Sequence, residues 1–157
     1  MPFYIPNKAR DWFKHIRGGK DGFKIDFDIY YFCLMAGLAK PRKIALPYGE
    51  TTEITQSFPK DYQANRHLIV ALFLKTELDN LGISLQERKV LDAQLKRLVD
   101  PISVTSLNDE GMKEMNKYAF GGFQVLQECF PEPPHTLSSF LISFYKLFEA
   151  SSSSNEL

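Results

Sequence analysis

Eleven consecutive residues, Ile29 to Ala39 (IYYFCLMAGLA), carry no charged side chain and are apolar almost throughout. Aspartates precede them at 26 and 28, and Lys40-Pro41 follows. The run is too short to cross a bilayer, which takes about 20 apolar residues in a helix. Wound as a helix it is apolar on nearly every side, so other elements must enclose it. The rest of the chain therefore has to supply amphipathic segments that wrap it. With 157 residues, 44% apolar and 24% charged, there is material for one domain with a real core, and disorder of the whole chain is excluded.

Those segments are separated by clear punctuation. Pro6-Asn7 starts a first helix, Lys8 to Arg17, with Trp12, Phe13 and Ile16 as its stripe, and Gly18-Gly19 stops it. Phe23 to Asp26 alternates apolar and polar, which suits a short strand or an extended lead-in. Asp26 or Asp28 caps the central helix, which Pro41 ends. Residues 44–59 lack a helical period and read as a long loop, with room for a hairpin around Tyr48-Gly49-Glu50; such a loop is a candidate for function or subunit contact. A third helix is predicted from about Lys60 to Leu81 and closes at Gly82. Ser84 to Glu87 matches a capping box and opens a fourth, with Val90, Leu91, Leu95 and Leu98 on its stripe, to about Asp100. Ser106 to Asp109 opens a fifth, reaching Phe130, in which Gly121-Gly122 marks a kink or a close helix crossing. Pro131 to Pro134 ends it. The sixth, Thr136 to Ala150, carries the ladder Phe140, Phe144, Phe148, which fits core or a subunit interface. The expectation is an all-α fold: one helical domain of about six helices over residues 1–150 and a disordered polar tail over 151–157.

Catalytic patterns are scarce. His15, His67 and His135 are dispersed, with no Cys or His at ligand spacing, so no metal is expected. No phosphate-binding glycine loop, dinucleotide fingerprint or nucleophile elbow occurs, and no cofactor or enzymatic activity is expected. Cys33 and Cys129 both have apolar neighbours, so two buried free thiols in a reducing cytoplasm are expected rather than a disulfide. Met1 to Pro6 lacks the pattern of a secretion signal, and no membrane span is expected.

The charges carry the functional signal. Nineteen Lys and Arg balance nineteen Asp and Glu, yet residues 1–43 hold nine basic and four acidic residues, net +5, and the remainder is net −5. Such asymmetry fits a polyanion partner or head-to-tail association, and a mixed surface can also produce it. At helical spacing, Lys8, Arg10, Lys14 and Arg17 form a cationic ridge, which Lys20 and Lys24 extend through the glycine turn. Lys40, Arg42 and Lys43 join it if the first two helices pack antiparallel. A ridge of this kind binds backbone phosphates without reading sequence.

The segment Asp28 to Pro41, following a basic helix and a glycine turn, resembles the N-terminal half of the DndE family, the small helical subunit of the bacterial DNA sulfur-modification (phosphorothioation) system. The order that follows is also similar: a polar loop with Gly49 and Glu50, a helix from Asn65 to Leu81 closing at Gly82, and a later helix with Met115-Asn116-Lys117. After about residue 120 the chain departs from that pattern. The resemblance implies a non-enzymatic, cytoplasmic protein that binds duplex or nicked DNA through lysines and works with other subunits of a DNA-modification complex in anti-phage defence. It assigns the contacts to Lys8, Arg10, Lys14, Arg17, Lys20, Lys24, Lys40, Arg42 and Lys43. A homo-oligomer is expected. The alternative is a scaffold or protein–protein interaction subunit that binds no nucleic acid.

Overall fold

A computed structural model describes residues 1–154, with side chains through Glu149. The apolar run becomes the helix Asp26–Ala39 (α2, the second of six α-helices), buried as its composition demands. Extended Ile25 precedes it. Asp28, in its first turn, reaches back: one carboxylate oxygen accepts from the backbone N–H of Lys24 at 3.1 Å and of Ile25 at 3.2 Å, and the other accepts from the Tyr62 hydroxyl. Asp28, not Asp26, thus closes the helix start.

The helix Asp109–Cys129 (α5) is the main partner of α2. Asn108 caps it, accepting from the Gly111 N–H at 2.8 Å. Gly121-Gly122 is a crossing device, the second of its two sequence readings. A Cβ on Gly122 would lie 2.6 Å from the Gly37 nitrogen and closer still to the Cys33 carbonyl oxygen. One on Gly37 would overlap the Tyr118 carbonyl oxygen, and one on Gly121 that of Arg42. The two backbones touch, and no residue larger than glycine fits between them.

A small antiparallel sheet departs from the all-helical expectation. Strand β1 (Phe3–Pro6) pairs with β2 (Thr51–Thr55), with Ile5 opposite Thr52 and Pro6 opposite Thr51. Phe3 and Ile5 alternate inward and are fully buried; Phe3 meets Phe27, Tyr30 and Phe58 edge-on at 5.0 Å each. Asn116 of α5, 3% exposed, binds this corner together. Its oxygen accepts from the Tyr30 hydroxyl at 2.9 Å and the Tyr4 N–H at 3.3 Å, and its amide donates to the Pro2 carbonyl at 3.0 Å. The fold is mostly helical rather than all-α. The 44–59 segment is a 3-10 turn, Tyr48–Glu50, followed by β2 rather than a plain loop or a local hairpin.

The first helix, α1, spans only Asn7–Trp12. Beyond it the chain tightens: the Lys14 and Ile16 N–H groups donate to carbonyls three residues back. Phe13 and Ile16, on this turn, are both buried. Gly18 and Gly19 then take positive φ, and Phe23 closes the loop through the bonds Gly18 N–H to Phe23 O (2.9 Å) and Phe23 N–H to Ile16 O (2.7 Å). The parallel bridge Arg17–Phe23 is what became of the alternating Phe23–Asp26 segment.

The remaining helices are α3 (Arg66–Asn80, after a 3-10 stretch Lys60–Asn65), α4 (Arg88–Leu98) and α6 (Leu137–Ser154). Ser84 forms a local turn with the Gln86 N–H, so α4 begins three residues later than its capping box predicts. Thr136 accepts from the Ser139 N–H at 3.2 Å and starts α6. Phe140 and Phe144 belong to the core, where Phe140 meets Phe13, Phe23, Phe32 and Phe130 at 5.3–5.9 Å. Helix α6 runs on into the segment read as a tail, whose last residues, 155–157, lie outside the described residues.

The close crossing sets a sharp contrast between glycines. Gly122→Ala should cost about 3 kcal/mol or more in urea denaturation, because the methyl group meets backbone that cannot yield. Gly49→Ala, with nothing within 4 Å of the added carbon, should leave the midpoint nearly unchanged.

Candidate functional site

The nine basic residues do not form one helical ridge. Helix α1 ends before Lys14, so Lys14 and Arg17 lie on the turn and bridge that follow it. The structure sorts the nine by what their charges meet.

Four are engaged by the protein's own carboxylates. Asp26, freed from capping, sits between two arginines: Arg10 Nη2 is 2.8 Å from Oδ2, and Arg17 donates from Nε at 2.7 Å and Nη2 at 3.2 Å. The bond from Arg17, with the charge of Arg10 beside it, holds the Asp26 carboxyl below the usual carboxylate range despite partial burial. Arg42 reaches Glu128 at 2.7 Å and Gln124 at 3.3 Å, which ties the exit of α2 to α5. Lys43 lies between Glu77 of α3 at 3.0 Å and Glu114 of α5 at 2.5 Å, with the Tyr118 ring centroid 5.5 Å away.

The Lys43 cluster is the most deeply placed set of charges. Glu77 is 1% exposed, and Lys117 adds a second cation to Glu114 at 3.1 Å. Burial alone would lower Lys43 and raise Glu114. The hydrogen bonds between them, with those from Glu77 and Lys117, outweigh it, so Lys43 is raised and Glu114 lowered. Burial, with Glu77 alongside, pushes the Tyr118 hydroxyl up. The spacing of these residues in sequence carries no sign of this network, which joins three separate segments.

The other five are exposed lysines. Among the described residues none of Lys8, Lys14, Lys20, Lys24 or Lys40 has a carboxylate within ion-pair distance. Lys8 lines a cleft with Ile44, Leu46, Glu50 and Phe120. Lys20 and Lys24 flank the glycine loop, Lys20 on a cleft of about 660 Å3 and Lys24 on a shallower one shared with Arg17 and Asp26. Lys40 Nζ approaches Cys129 Sγ at 3.9 Å. An antiparallel arrangement of the first two helices would bring Lys40, Arg42 and Lys43 beside Lys8; Lys8 does face Ile44, but Arg42 and Lys43 turn to α5 and α3.

Both cysteines are free, and only one is buried. Cys33 lies in the α2–α5 crossing, where burial pushes its thiol up. Cys129 is exposed at the end of α5, where its apolar neighbours are drawn to the core and it is not. His15 and His135, remote in sequence, come face to face with ring centroids 4.7 Å apart, while His67 is exposed on α3. Among the described residues no group of three His, Cys, Asp or Glu forms a metal-sized cluster, and no helix is long and apolar enough to cross a membrane.

No protein-family model matches this sequence, and no curated protein or solved structure is significantly similar to it.

The sign of the pH response follows from the network. Glu114 is lowered, so its contribution is present above its unfolded value of about 4.3 and lost as pH falls through the lower folded value. Lys43 is raised, so its contribution is present below about 10.4 and lost as pH rises through the higher folded value. Lys43→Met should cost about 3 kcal/mol at pH 7 by stranding the buried Glu77 charge. Adding Glu77→Gln should restore much of that loss, read as a non-additive double-mutant cycle in denaturant.

Proposed function

We propose that this protein is a non-enzymatic DNA-binding accessory subunit of a DNA sulfur-modification and anti-phage system, holding the backbone of duplex DNA, nicked duplex included. The observation that supports it most is the arrangement around the Gly18-Gly19 loop. Lys14, Lys20 and Lys24 stand exposed there without carboxylate partners among the described residues, while the neighbouring arginines Arg10 and Arg17 are satisfied by Asp26. Exposed lysines without carboxylate partners attract a polyanion. Lys8 and Lys40 are further exposed contacts on the same net +5 segment. The resemblance of Asp28 to Pro41 and its flanking segments to the DndE family suggests the biological setting, in which the partners are other subunits of the modification complex and the protein acts in the cytoplasm.

Arg10, Arg17, Arg42 and Lys43 take a different part in this reading. Each is paired with a carboxylate of the protein itself, so in this reading each shapes the surface rather than touching DNA directly. Asp26 fixes the two arginines and through them the glycine loop between Arg17 and Phe23.

A second reading, a protein–protein interaction subunit, is favoured by one observation. Leu85 (72% exposed), Val90 (46%) and Ile102 (94%) are apolar residues left open on and beside α4. The two readings make opposite demands on nucleic acid.

The two part on a salt titration. Duplex affinity should fall steeply with salt, and the triple variant Lys14→Glu, Lys20→Glu, Lys24→Glu should lower the slope of log K against log salt by about 3, roughly one for each phosphate no longer neutralised. Wild-type protein that fails to shift nicked or intact duplex while co-purifying with a protein partner would favour the second reading.

A further inference from the structure

His15 follows α1 and His135 precedes α6, and the core brings them together. Phe13 and Phe140 meet edge-on at 5.4 Å, and Phe130 stacks on Phe140 at 5.4 Å. With the backbones anchored on either side, the imidazoles sit 4.7 Å apart and inclined by 36°. They open on the cleft of about 660 Å3, which is wide enough for a phosphate and part of its ester group. The glycine loop contributes Lys20 and Asp21 to its wall, and the start of α6 contributes Thr136, Ser138, Leu137 and Leu141.

Imidazole takes up its proton between about pH 5 and 8. Two protonated rings at this separation repel each other, and Lys20 adds a third positive charge to the same cleft. The opposing charges are Asp21 on the loop and Glu132, whose Oε1 is 4.0 Å from His135 Nε2. Asp21 shares the wall and Glu132 lies beside His135, yet with both imidazoles protonated the cations outnumber the carboxylates three to two, and an oxyanion restores the balance. A metal ion fits less well, since no third ligand completes a cluster among the described residues.

We propose that this cleft is a pH-gated seat for a phosphoryl group, in which His15, His135 and Lys20 take its oxygens and grip it harder as the imidazoles gain protons. The seat is read from geometry alone. That the phosphoryl group belongs to a nucleic acid rests on the DNA-binding reading above, and the sources to separate are free phosphate, a terminal monoester and a backbone diester.

The full chain, labelled for observation of its histidine rings, is titrated in phosphate and in chloride at equal ionic strength. In phosphate the protonation midpoints of His15 and His135 should move to higher pH, while His67 stays put as the internal control. Affinity for sulfate, a tetrahedral oxyanion whose charge is constant over this range, should be about tenfold or more greater at pH 5.5 than at pH 7.5. His15→Gln should abolish the response of His135, and Lys20→Gln, an exposed change that leaves the core alone, should weaken both. Midpoints that coincide in the two buffers, or a His67 shift as large as the others, overturn the proposal. Duplexes with and without a 5′-phosphate then identify the source: a response confined to the phosphorylated duplex assigns a terminal monoester, and an equal response assigns the backbone. A phosphate response without duplex binding sustains the seat and removes the DNA reading. Duplex binding that ignores pH, with unmoved histidines, removes the seat and leaves the DNA reading intact.

Discussion

The structure depends on backbone meeting backbone where α2 crosses α5. Gly37 on one helix and Gly121-Gly122 on the other remove every side chain from the contact, so the carbonyls of Cys33 and Tyr118 rest where Cβ atoms would otherwise stand. Close approach at that point sets everything around it. It lets Tyr30 of α2 reach Asn116 of α5, and Asn116 in turn anchors β1 through Tyr4 and Pro2. It also places the exit of α2 against α5, so that Arg42 finds Glu128 and Lys43 finds Glu114. The N-terminal segment is thereby fixed at both ends of the crossing: at the sheet corner through Asn116 and along the chain through α2.

The same constraint explains how a neutral chain can still present a positive surface. Net charge sums over groups that differ in what they meet. Arg10, Arg17, Arg42 and Lys43 are paired with carboxylates, at the surface for Arg17 and Arg42 and against buried Glu77 for Lys43. The lysines around the glycine loop lack such partners among the described residues, so the positive character left at the surface is narrower than the +5 of residues 1–43. Of the nine basic residues, all three arginines and Lys43 ended up in pairs and the other five lysines in the open positions. The planar guanidinium suits a bidentate contact such as Arg17 with Asp26, whereas the flexible lysine suits a solvated contact with phosphate.

Much of the fold is legible in the sequence, because the signals that make it legible are local. The central helix follows from an unbroken apolar run, the fifth from the capping signal Ser106 to Asp109 (though Asn108 rather than Ser106 proves to be the cap), and the crossing is one of two readings of Gly121-Gly122. Where sequence and structure part, the cause is competition that local signals do not weigh. Helix α1 stops at Trp12, and Phe13 and Ile16 are buried from the turn that follows it, where the hydrogen bonds run three residues back. Residues 3–6 form a strand only because residues 51–55 come beside them, and two prolines disguise it. Among the charged residues, composition marks the N-terminal segment as basic but does not tell paired charges from unpaired ones. Asp26 reads as a cap and becomes an arginine clamp. The pairing of His15 with His135 and the buried Lys43–Glu77–Glu114 network are products of tertiary packing alone, and no spacing rule announces them.

The central claim is that residues 14–24, with the facing turn at 135–138, form the surface that meets DNA. Amide chemical shifts followed through a titration with a short nicked duplex test it most directly, since they report every segment at once. The account predicts that the largest changes fall on Lys14 to Lys24 and on His135 to Ser138, fading across α3 and α4. Changes concentrated instead on α4 and the Ile102 loop, with the glycine loop silent, would contradict it.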